Sequence, residues 1–498
     1  MSLKAQMARG LKWQVISIVG RQLLSLVVFT TLARLLDPAA FGLAALVFIY
    51  LGFVTMFIDQ GLGAAIIQRQ NLEPQHLDTA FWFNLACATI LCLGTITLAG
   101  PVAALFKEPR LVPLLRWSSL GLVIGASSAI HSTLFIRAMD FRQPVIRTLI
   151  ANAAGGAVGV GMALGGYGVW SLVGQQLASE MAGALFLWSM STYRPSLKFS
   201  WSHLRQLLGF SSSVFGTSIL WYFSSRLDEM VIGRFAGINP LGFYSIAGKL
   251  PNLANMVTQQ PLSIISLPSL SRLQADYPKM RQVVCQGMEL NALISFAVFV
   301  GLAMVAPEAV PFLFGAKWAG AALLCSLLSL YALVNALVVF CYPVLLASGG
   351  IGKYVWLNVW HFMGVLVACL VGIQFSVVWL VLGLIINAVV ITIPALMFIH
   401  RRIGLSPWDY CRPCLMPAIA SIFMAGAVWS IPMMMPASTW VALLLFCKTA
   451  AGAMAYLGFM FLFRRNTLVK LLDMAGHATG FLKTPAVIVP SQMDNQQP

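Results

Sequence analysis

The chain has 498 residues, of which 59% are hydrophobic and only 9% are charged, and its mean hydropathy is +0.85. A soluble protein of this length needs far more polar surface, so the composition excludes a soluble globular enzyme and predicts a polytopic membrane protein. The net charge of +16 is expected to orient the protein and to contact anionic lipid, and it requires no nucleic-acid partner.

Apolar runs long enough to cross a bilayer follow one another along most of the chain. Because a transmembrane helix needs about 20 apolar residues, the runs predict an all-α membrane protein with about fourteen transmembrane helices. The first run is too long to be a cleaved signal peptide. The predicted spans are 11–33, 41–66, 80–105, 112–135, 145–164, 168–190, 209–232, 243–268, 286–306, 319–346, 354–373, 376–399, 414–434 and 439–463.

Basic residues are distributed unequally between alternate gaps. If the N-terminus is cytoplasmic, the cytoplasmic segments hold 21 of the 31 lysines and arginines, and the outer loops hold six. Cytoplasmic loops of membrane proteins carry such an excess of basic residues. The distribution therefore predicts that both termini are cytoplasmic. The six outer residues are Arg34, Lys107, Arg110, Arg116, Arg234 and Lys317.

The two halves of the chain resemble each other. ARLLDPAAFGL at 33–43 follows the first span and GRFAGINPLGF at 233–243 follows the seventh, so that Gly42 aligns with Gly242. Weaker matches recur in the same order at nearly the same offset. A repeat of six spans inserts both copies in one orientation, and it predicts two parallel six-helix lobes around a central cavity. The predicted parts are an N-lobe at 1–198, a C-lobe at 199–405, two extra helices at 406–465 and a cytoplasmic tail, amphipathic and then disordered, at 466–498.

Four basic residues lie well inside predicted spans, away from their ends, where a cation is costly and indicates a functional site unless it has a structural partner. They are Arg21, Arg226, Lys249 and Lys448. Arg21 shares a helix face with polar residues near the midplane. Lys249 lies in a span that prolines such as Pro261 interrupt, and broken helices are tolerated where they line a cavity. We expect Arg21 and Lys249 to face a cavity and Lys448 to have a structural role.

Five acidic residues also lie within predicted spans: Asp59 and Glu289 are near the cytoplasmic ends, and the other three are Glu180, Asp228 and Glu229. Glu180 could titrate and couple transport to a proton or a sodium ion, or it could pair with Arg21. Asp228 and Glu229 follow Arg226 by two and three residues, so these three charges could neutralise one another or line an outward-facing vestibule. The sequence leaves both alternatives open.

Motifs for other classes of chemistry are incomplete. Cys411 and Cys414 form a lone C-x-x-C, which lacks the further ligands of a zinc site and the βαβ setting of a thioredoxin motif. SGGIGK at 348–353 lacks the spacing of a P-loop, and the glycines of the fifth span are close-packing positions. We therefore predict no metal, no cofactor and no catalytic site.

Several motifs resemble the polysaccharide exporters of the multidrug/oligosaccharidyl-lipid/polysaccharide flippase (MOP) superfamily. The likeness extends over roughly residues 5–465 and is greatest to Wzx-type flippases of the colanic-acid and xanthan kind. The motifs are Gly10-Leu11-Lys12-Trp13, LARLLDPAAFGL at 32–43, Asp59-Gln60-Gly61-Leu62-Gly63, Gly168-Val169-Trp170, Gly242-Phe243-Tyr244 and Leu267-Pro268.

The resemblance implies a transporter of the bacterial inner membrane that moves an undecaprenyl-diphosphate-linked exopolysaccharide repeat unit to the periplasmic leaflet by alternating access. It implies that Arg21, Arg226 and Lys249 face a central cationic cavity and bind the diphosphate, and that a polymerase or export complex is a partner. A lipid II flippase and a cation-coupled drug exporter of the same fold are the alternatives. A membrane polymerase or glycosyltransferase would need a sizeable outer loop with catalytic groups, and the sequence lacks such a loop.

Overall fold

The computed structural model describes residue 20 and residues 22–59, 62–208, 212–436 and 440–480. Arg21 and the tail beyond residue 480 lie outside the described residues. Nearly all of the described residues are helical, and no strand occurs among them. The first helices are α1 (Gln22–Leu35), α2 (Pro38–Asp59), α3 (Leu62–Gln68), α4 (Pro74–Leu105), α5 (Leu111–Ser118), α6 (Leu120–Arg137), α7 (Arg142–Leu164), α8 (Trp170–Met190) and α9 (Trp201–Leu208). The others are α10 (Ser212–Val231), α11 (Ile238–Thr258), α12 (Gln260–Ser271), α13 (Tyr277–Ser295), α14 (Gly301–Phe314), α15 (Ala322–Ala336), α16 (Cys341–Ala347), α17 (Ile351–Gly372), α18 (Val377–Ile403), α19 (Pro407–Met434) and α20 (Val441–Gly480).

The all-helical membrane fold expected from the sequence is confirmed. Within the described ranges, 10 helical segments are long and apolar enough to cross a membrane, and each coincides with a predicted span. The other four predicted spans coincide with α8, α10, α11 and α1, and the structure describes α1 only from Gln22, so the count of fourteen stays a prediction. Some helices are longer than predicted: the segment Tyr277–Phe314 extends past both ends of the predicted span at 286–306. Polar residues near the ends of these helices lower the local hydropathy, so the hydropathy pattern alone did not include the ends in the predicted spans.

The helices form two groups that meet along one line of contact. Helices α3–α8 pack mainly on one another, and together with α1 and α2 we call them the N-lobe; α10–α18 form the C-lobe. The lobes meet where α2 packs against α10 and α11, and where α1 approaches α11. We call this contact the inter-lobe seam. Helices α19 and α20 pack on each other and on α13 and α14. The residue boundaries predicted for the lobes stay predictions.

The contact between α2 and α11 occurs twice with exchanged roles. A methyl group on Gly42 would overlap the carbonyl oxygen of Ile238, and a methyl group on Gly242 would overlap the carbonyl oxygen of Pro38. The two contacts are related by the 200-residue offset of the sequence repeat. They are therefore equivalent across a pseudo-twofold axis. Each position requires glycine because the other backbone leaves no room for a side chain.

Aromatic side chains from both lobes fill the space beside this contact. The ring of Phe41 lies 5.4 Å from that of Phe29 and 5.5 Å from that of Trp318. Trp318 is fully buried, and its indole nitrogen donates a hydrogen bond of 2.8 Å to the carbonyl oxygen of Ala33. These rings close the seam at the end of the molecule where α1 meets α2. We call the set the aromatic plug: Phe29, Phe41, Phe243, Phe314 and Trp318.

Hydrogen bonds join the lobes above the aromatic plug. Arg34 donates from Nε to the carbonyl oxygen of Leu313 at 2.9 Å and from Nη2 to that of Phe312 at 2.6 Å. Lys317 donates in return to the carbonyl oxygen of Arg34 at 2.9 Å. The bonds from Arg34 satisfy carbonyl groups that α14 leaves free at its end, and the bond from Lys317 does the same at the end of α1. The α1–α2 end of the seam is therefore closed by both apolar and polar contacts.

Lys448 has the structural role that the sequence suggested. Its Nζ lies 2.5 Å from Glu308 Oε1, and the lysine is only 6% exposed. The pair joins α20 to α14 and so attaches the added helices to the C-lobe.

Replacing Lys448 with methionine should destabilise the protein, because Glu308 would remain buried without its partner, at a cost of about 3–5 kcal/mol. The double variant Lys448→Met/Glu308→Leu should recover most of that loss. The measurement is the midpoint of thermal unfolding in detergent. Lys279→Met is the matched control, since Lys279 pairs with Asp276 at 3.0 Å but is 71% exposed, and exposed pairs contribute about 0–1 kcal/mol. Equal losses in the single and double variants would contradict a structural ion pair.

Candidate functional site

Lys249 lies on α11 and faces α1 across the inter-lobe seam. Its Nζ is 3.4 Å from Ser25 Oγ and 4.4 Å from the centroid of the Phe29 ring. At 1.5 Å per residue, it lies roughly 16 Å along α11 from the closed end, which is about half the thickness of a bilayer core. Among the described side chains, Lys249 forms no ion pair. Its charge is supported only by a weak hydrogen bond and a cation–π contact, and it stays available to an anion.

The helix that carries Lys249 is broken beyond it, as the prolines predicted. Helix α11 ends at Thr258, and α12 begins at Gln260 with Pro261 in its first turn. Between them, the side-chain Nε2 of Gln259 donates to Asn291 Oδ1 at 3.0 Å and to Ser295 Oγ at 2.8 Å. Polar groups of the neighbouring α13 therefore fix the position of the break.

Arg226 is paired within its own helix. Its Nη1 lies 2.8 Å from Glu229 Oε1, three residues along α10, and the side chain of Arg226 is 46% exposed. The structure therefore shows the neutralising contact that was one of the two alternatives for this cluster. Arg226 still presents part of its guanidinium to the surroundings, so a contact with a larger anion stays a prediction.

Asp228 belongs to a separate contact. Tyr244 of α11 donates its hydroxyl hydrogen bond to Asp228 Oδ2, while Asp228 Oδ1 is buried and has no hydrogen-bond partner among the described residues. Tyr244 is itself 5% exposed. A buried carboxylate oxygen without a donor is suited to hold a proton or a small cation.

Glu180 is paired with a residue that we did not single out from the sequence. Arg147 Nη2 lies 3.6 Å from Glu180 Oε2. Helix α7 begins at Arg142, so Arg147 lies in its second turn, and its guanidinium faces α8. Gly183 makes room, since a methyl group there would lie 3.0 Å from Arg147 Nε. The three-residue spacing of Glu180 and Gly183 on one face of α8 is the signal that the sequence offered.

Arg147 and Glu180 lie in a cavity of about 560 Å³ inside the N-lobe, which both polar and apolar side chains line. Helices α2, α4, α6, α7 and α8 surround it. The sequence did not predict this cavity, because its polar lining is distributed over five helices and no local motif marks it. We call it the N-lobe cavity; its lining includes Thr55, Asn84, Gly125, Arg147, Gln176 and Glu180.

Residues 31–323, from the last turns of α1 into α15, match the model of a protein family described as "Polysaccharide biosynthesis protein". The succinoglycan biosynthesis transport protein ExoT of Rhizobium meliloti is 28% identical over 480 residues, which are 94% of this chain and 95% of that protein. The lipopolysaccharide biosynthesis protein WzxC of Escherichia coli is 26% identical over 320 residues, which are 64% of this chain and 65% of that protein.

Two solved structures share the fold. The lipid II flippase MurJ in an inward closed conformation superposes with a TM-score of 0.75 at 14% sequence identity, over 92% of this chain and 100% of that one. An inward-facing multidrug resistance transporter of the MATE family, within the MOP superfamily, superposes with a TM-score of 0.60 at 16% identity, over 77% of this chain and 94% of that one. At these identities the similarity shows the fold alone.

Proposed function

Because the chain belongs to the family of polysaccharide biosynthesis proteins, we propose that it is a flippase for an undecaprenyl-diphosphate-linked exopolysaccharide repeat unit. The observation that carries the proposal is Lys249, a mid-depth cation that faces the inter-lobe seam and forms no ion pair among the described residues. The names of relatives such as succinoglycan transport protein ExoT support the substrate class.

A cationic seam lowers the barrier to moving a diphosphate. An unpaired anion in hydrocarbon pays a large desolvation cost, and a cation at mid-depth offsets part of it. Lys249 would meet the diphosphate there, with Arg226 and Arg21 as further candidates; Arg21 lies outside the described residues. Because a cargo must also leave, a moderate attraction suits transport better than a fully enclosed ion pair.

Closure of the seam at one end supports transport by alternating access. The aromatic plug and the Gly42–Gly242 contacts close the seam where α1 meets α2. With both termini in the cytoplasm of a bacterium, as the charge distribution predicts, this end faces the periplasm, so the seam is closed toward the periplasm. Separation of α2 from α11 would then release the repeat unit to the outer leaflet, where a polymerase or export complex would take it.

Three carboxylates are candidates to couple transport to a proton or a sodium ion. Asp228 offers a buried oxygen without a donor, and Glu229 lies beside it on α10. Glu180 is less suited to sodium because Arg147 already lies 3.6 Å from it. We therefore assign coupling first to Asp228.

Asp228→Asn should uncouple transport from the cation gradient, because an amide neither binds a proton at Oδ1 nor carries a charge for sodium. The measurement is flipping of lipid-linked repeat units in proteoliposomes under an imposed pH or sodium gradient. We expect stimulation by the gradient to fall at least about fivefold. Glu108→Gln is the control, since Glu108 lies in the loop between α4 and α5, where Arg110 lowers its pKa. Full gradient dependence in Asp228→Asn would exclude Asp228.

Transport is favoured over catalysis by the relatives and by the connections between helices. At the closed end, the described connections between α1 and α2, α4 and α5, and α7 and α8 are only a few residues long. Such loops have no room for an extramembrane catalytic site. The shared fold does not by itself distinguish this protein from a lipid II flippase or a drug exporter, whereas the sequence relatives favour polysaccharide export.

The location of the lipid-linked repeat unit tests the function directly. In a strain without the gene, we expect the repeat unit to accumulate in the cytoplasmic leaflet, where an impermeant sugar-modifying enzyme added to spheroplasts cannot reach it. Expression of the gene should restore access. Normal delivery to the outer leaflet in the absence of the gene and of any second flippase would contradict the proposal.

A further inference from the structure

The connection between the two lobes exposes three large apolar side chains outside the predicted spans. It leaves α8 at Met190, runs through a segment without helical structure and enters α9. In it, Leu197 is 89% exposed, Phe199 is 53% exposed and Trp201 is 70% exposed. We call these three residues the exposed trio. Apolar side chains grouped on a connection between helices indicate an interaction surface, because in water they would forgo the free energy of burial.

The N-lobe covers the apolar face of α9 but not the exposed trio. Leu204 and Leu207 are almost completely buried, and they pack into the apolar cluster that α3 and α4 form with Leu62, Ile66 and Phe81. Helix α9 is therefore fixed to the N-lobe through its own leucines. The exposed trio lies outside this contact and requires a different partner.

Hydrogen bonds to α4 place the segment at the level of the membrane boundary. The amide of Ser196 donates to Asp78 Oδ1 at 3.1 Å, and Trp82 Nε1 donates to the carbonyl oxygen of Ser196 at 2.7 Å. The amide of Ser200 donates to Thr79 Oγ1 at 3.2 Å. The predicted span of α4 begins at residue 80, between these contacts. The segment therefore lies beside the first turns of α4, where the apolar core of a bilayer ends.

The length of α4 agrees with this placement. The helix has 32 residues. At 1.5 Å per residue it is about 48 Å long, whereas the hydrocarbon core is about 30 Å thick. Its ends must therefore extend into the headgroup regions. A water-soluble partner would have to reach the exposed trio at a level that lipid headgroups already occupy.

The charges of the connection match an anionic lipid surface. Residues 191–208 include the exposed Arg194, Lys198 and Arg205 and contain no acidic residue. Basic side chains near a membrane are attracted by the phosphates and the negative surface potential of anionic lipids. Tryptophan is enriched at the same level, because its ring is apolar and its N–H is polar. Alternation of apolar and basic side chains is therefore suited to the boundary between headgroups and acyl chains.

We infer that the connection between the lobes is anchored in an anionic lipid leaflet, with the exposed trio inserted below the headgroups and Lys198 and Arg205 on lipid phosphates. With both termini cytoplasmic, as the charge distribution predicts, this is the cytoplasmic leaflet. The inference does not depend on the identity of the transported cargo. Because α10 of the C-lobe begins at Ser212, soon after α9, the anchor holds the N-lobe end of the connection at the interface while the C-lobe moves.

A spin label at residue 199 tests the anchor. The protein, in a background without other cysteines, carries Phe199→Cys with the label and is placed in nanodiscs of phosphatidylcholine and phosphatidylglycerol in equal amounts. The measurement is the collision rate of the label with a neutral, water-soluble nickel chelate. We expect a rate at least about threefold lower than that of a label on Gln75→Cys, because the chelate is excluded from the acyl region.

Gln75 is the matched control because it is exposed in the first turn of α4, at the same end of the helix. Val367→Cys, which is 60% exposed on the membrane-spanning α17, gives the value for a site that faces lipid. Thermal unfolding should match that of the parent, and Leu197→Cys serves in place of Phe199→Cys if the latter is unstable. Equal collision rates at residues 199 and 75 would overturn the anchor and leave a soluble protein as the partner.

The role of the basic residues is tested by removing either charge partner. Nanodiscs of phosphatidylcholine alone should raise the collision rate at residue 199 at least about twofold, because they lack the anionic phosphates in excess of choline. Lys198→Gln/Arg205→Gln should cause the same rise in the mixed nanodiscs. An unchanged rate in both experiments would overturn the assignment of Lys198 and Arg205 to anionic lipid.

Discussion

Replacing Lys249 with glutamine will lower export of the polysaccharide ten- to a hundredfold at an unchanged level of protein in the membrane. A hydrogen bond to a charged group contributes about 1.5–3 kcal/mol, which corresponds to this range. The glutamine retains a polar side chain of similar reach toward Ser25 but has no charge to offer a diphosphate. The measurement is polymer production in a deletion strain that expresses the variant, with the protein quantified in isolated membranes.

The matched control is Lys353→Gln. Lys353 also lies over an aromatic ring, 5.4 Å from the centroid of Phe398, but it occupies the first turn of α17, away from the inter-lobe seam. Its replacement should leave export unchanged, and Lys249→Arg should restore part of the activity because it restores the charge. Full export by Lys249→Gln would remove Lys249 from the mechanism. Loss in both glutamine variants would point to a general effect of lysine removal.

Valine at Gly42 or at Gly242 will prevent the seam from closing and will abolish export. At each position the added side chain would overlap a backbone carbonyl oxygen of the other lobe, and a backbone cannot move aside as a side chain can. Overpacking at a fixed contact costs about 1–3 kcal/mol, enough to reverse a marginal conformational equilibrium. The readout is labelling of Ser25→Cys, in a background without other cysteines, by an impermeant thiol reagent added from the periplasmic side. Labelling should increase in both variants.

Gly161→Val is the control for this experiment. A methyl group on Gly161 meets no atom within 4 Å, so export and labelling should equal those of the parent. Because the two seam contacts are pseudo-symmetric, Gly42→Val and Gly242→Val should also have similar effects. A strong effect at one position with none at the other would show that the contacts are not equivalent.

The internal repeat shows what a local sequence pattern can and cannot predict about the fold. Alignment of Gly42 with Gly242 indicated duplicated lobes, and the structure shows that each glycine meets the other copy's helix start. The sequence could not show that the two glycines belong to one contact. That pairing joins residues about 200 positions apart, and it depends on how the lobes are placed rather than on either helix alone.

For the charged residues too, some features were predicted from the sequence and others were visible only in the structure. The broken helix beyond Lys249 and the structural role of Lys448 followed from proline positions and span order, and the structure agrees with both. The residues with which the charged side chains pair could not be predicted from the sequence. Charge counting considers only the distance of Arg147 from a helix end, whereas its contact with Glu180 depends on the face that α7 turns toward α8.

By itself, the sequence determined the membrane class, the positions of the helices, the duplicated halves and the family, because hydropathy, charge and short motifs are local properties of the chain. Only the tertiary structure decided which charges are paired, which end of the seam is closed and that a polar cavity lies inside the N-lobe. Those features arise where five or more helices converge, and a bilayer gives every helix a similar apolar exterior. The pattern of hydrophobicity therefore does not record which helix faces meet, and packing of small residues and polar contacts decides it.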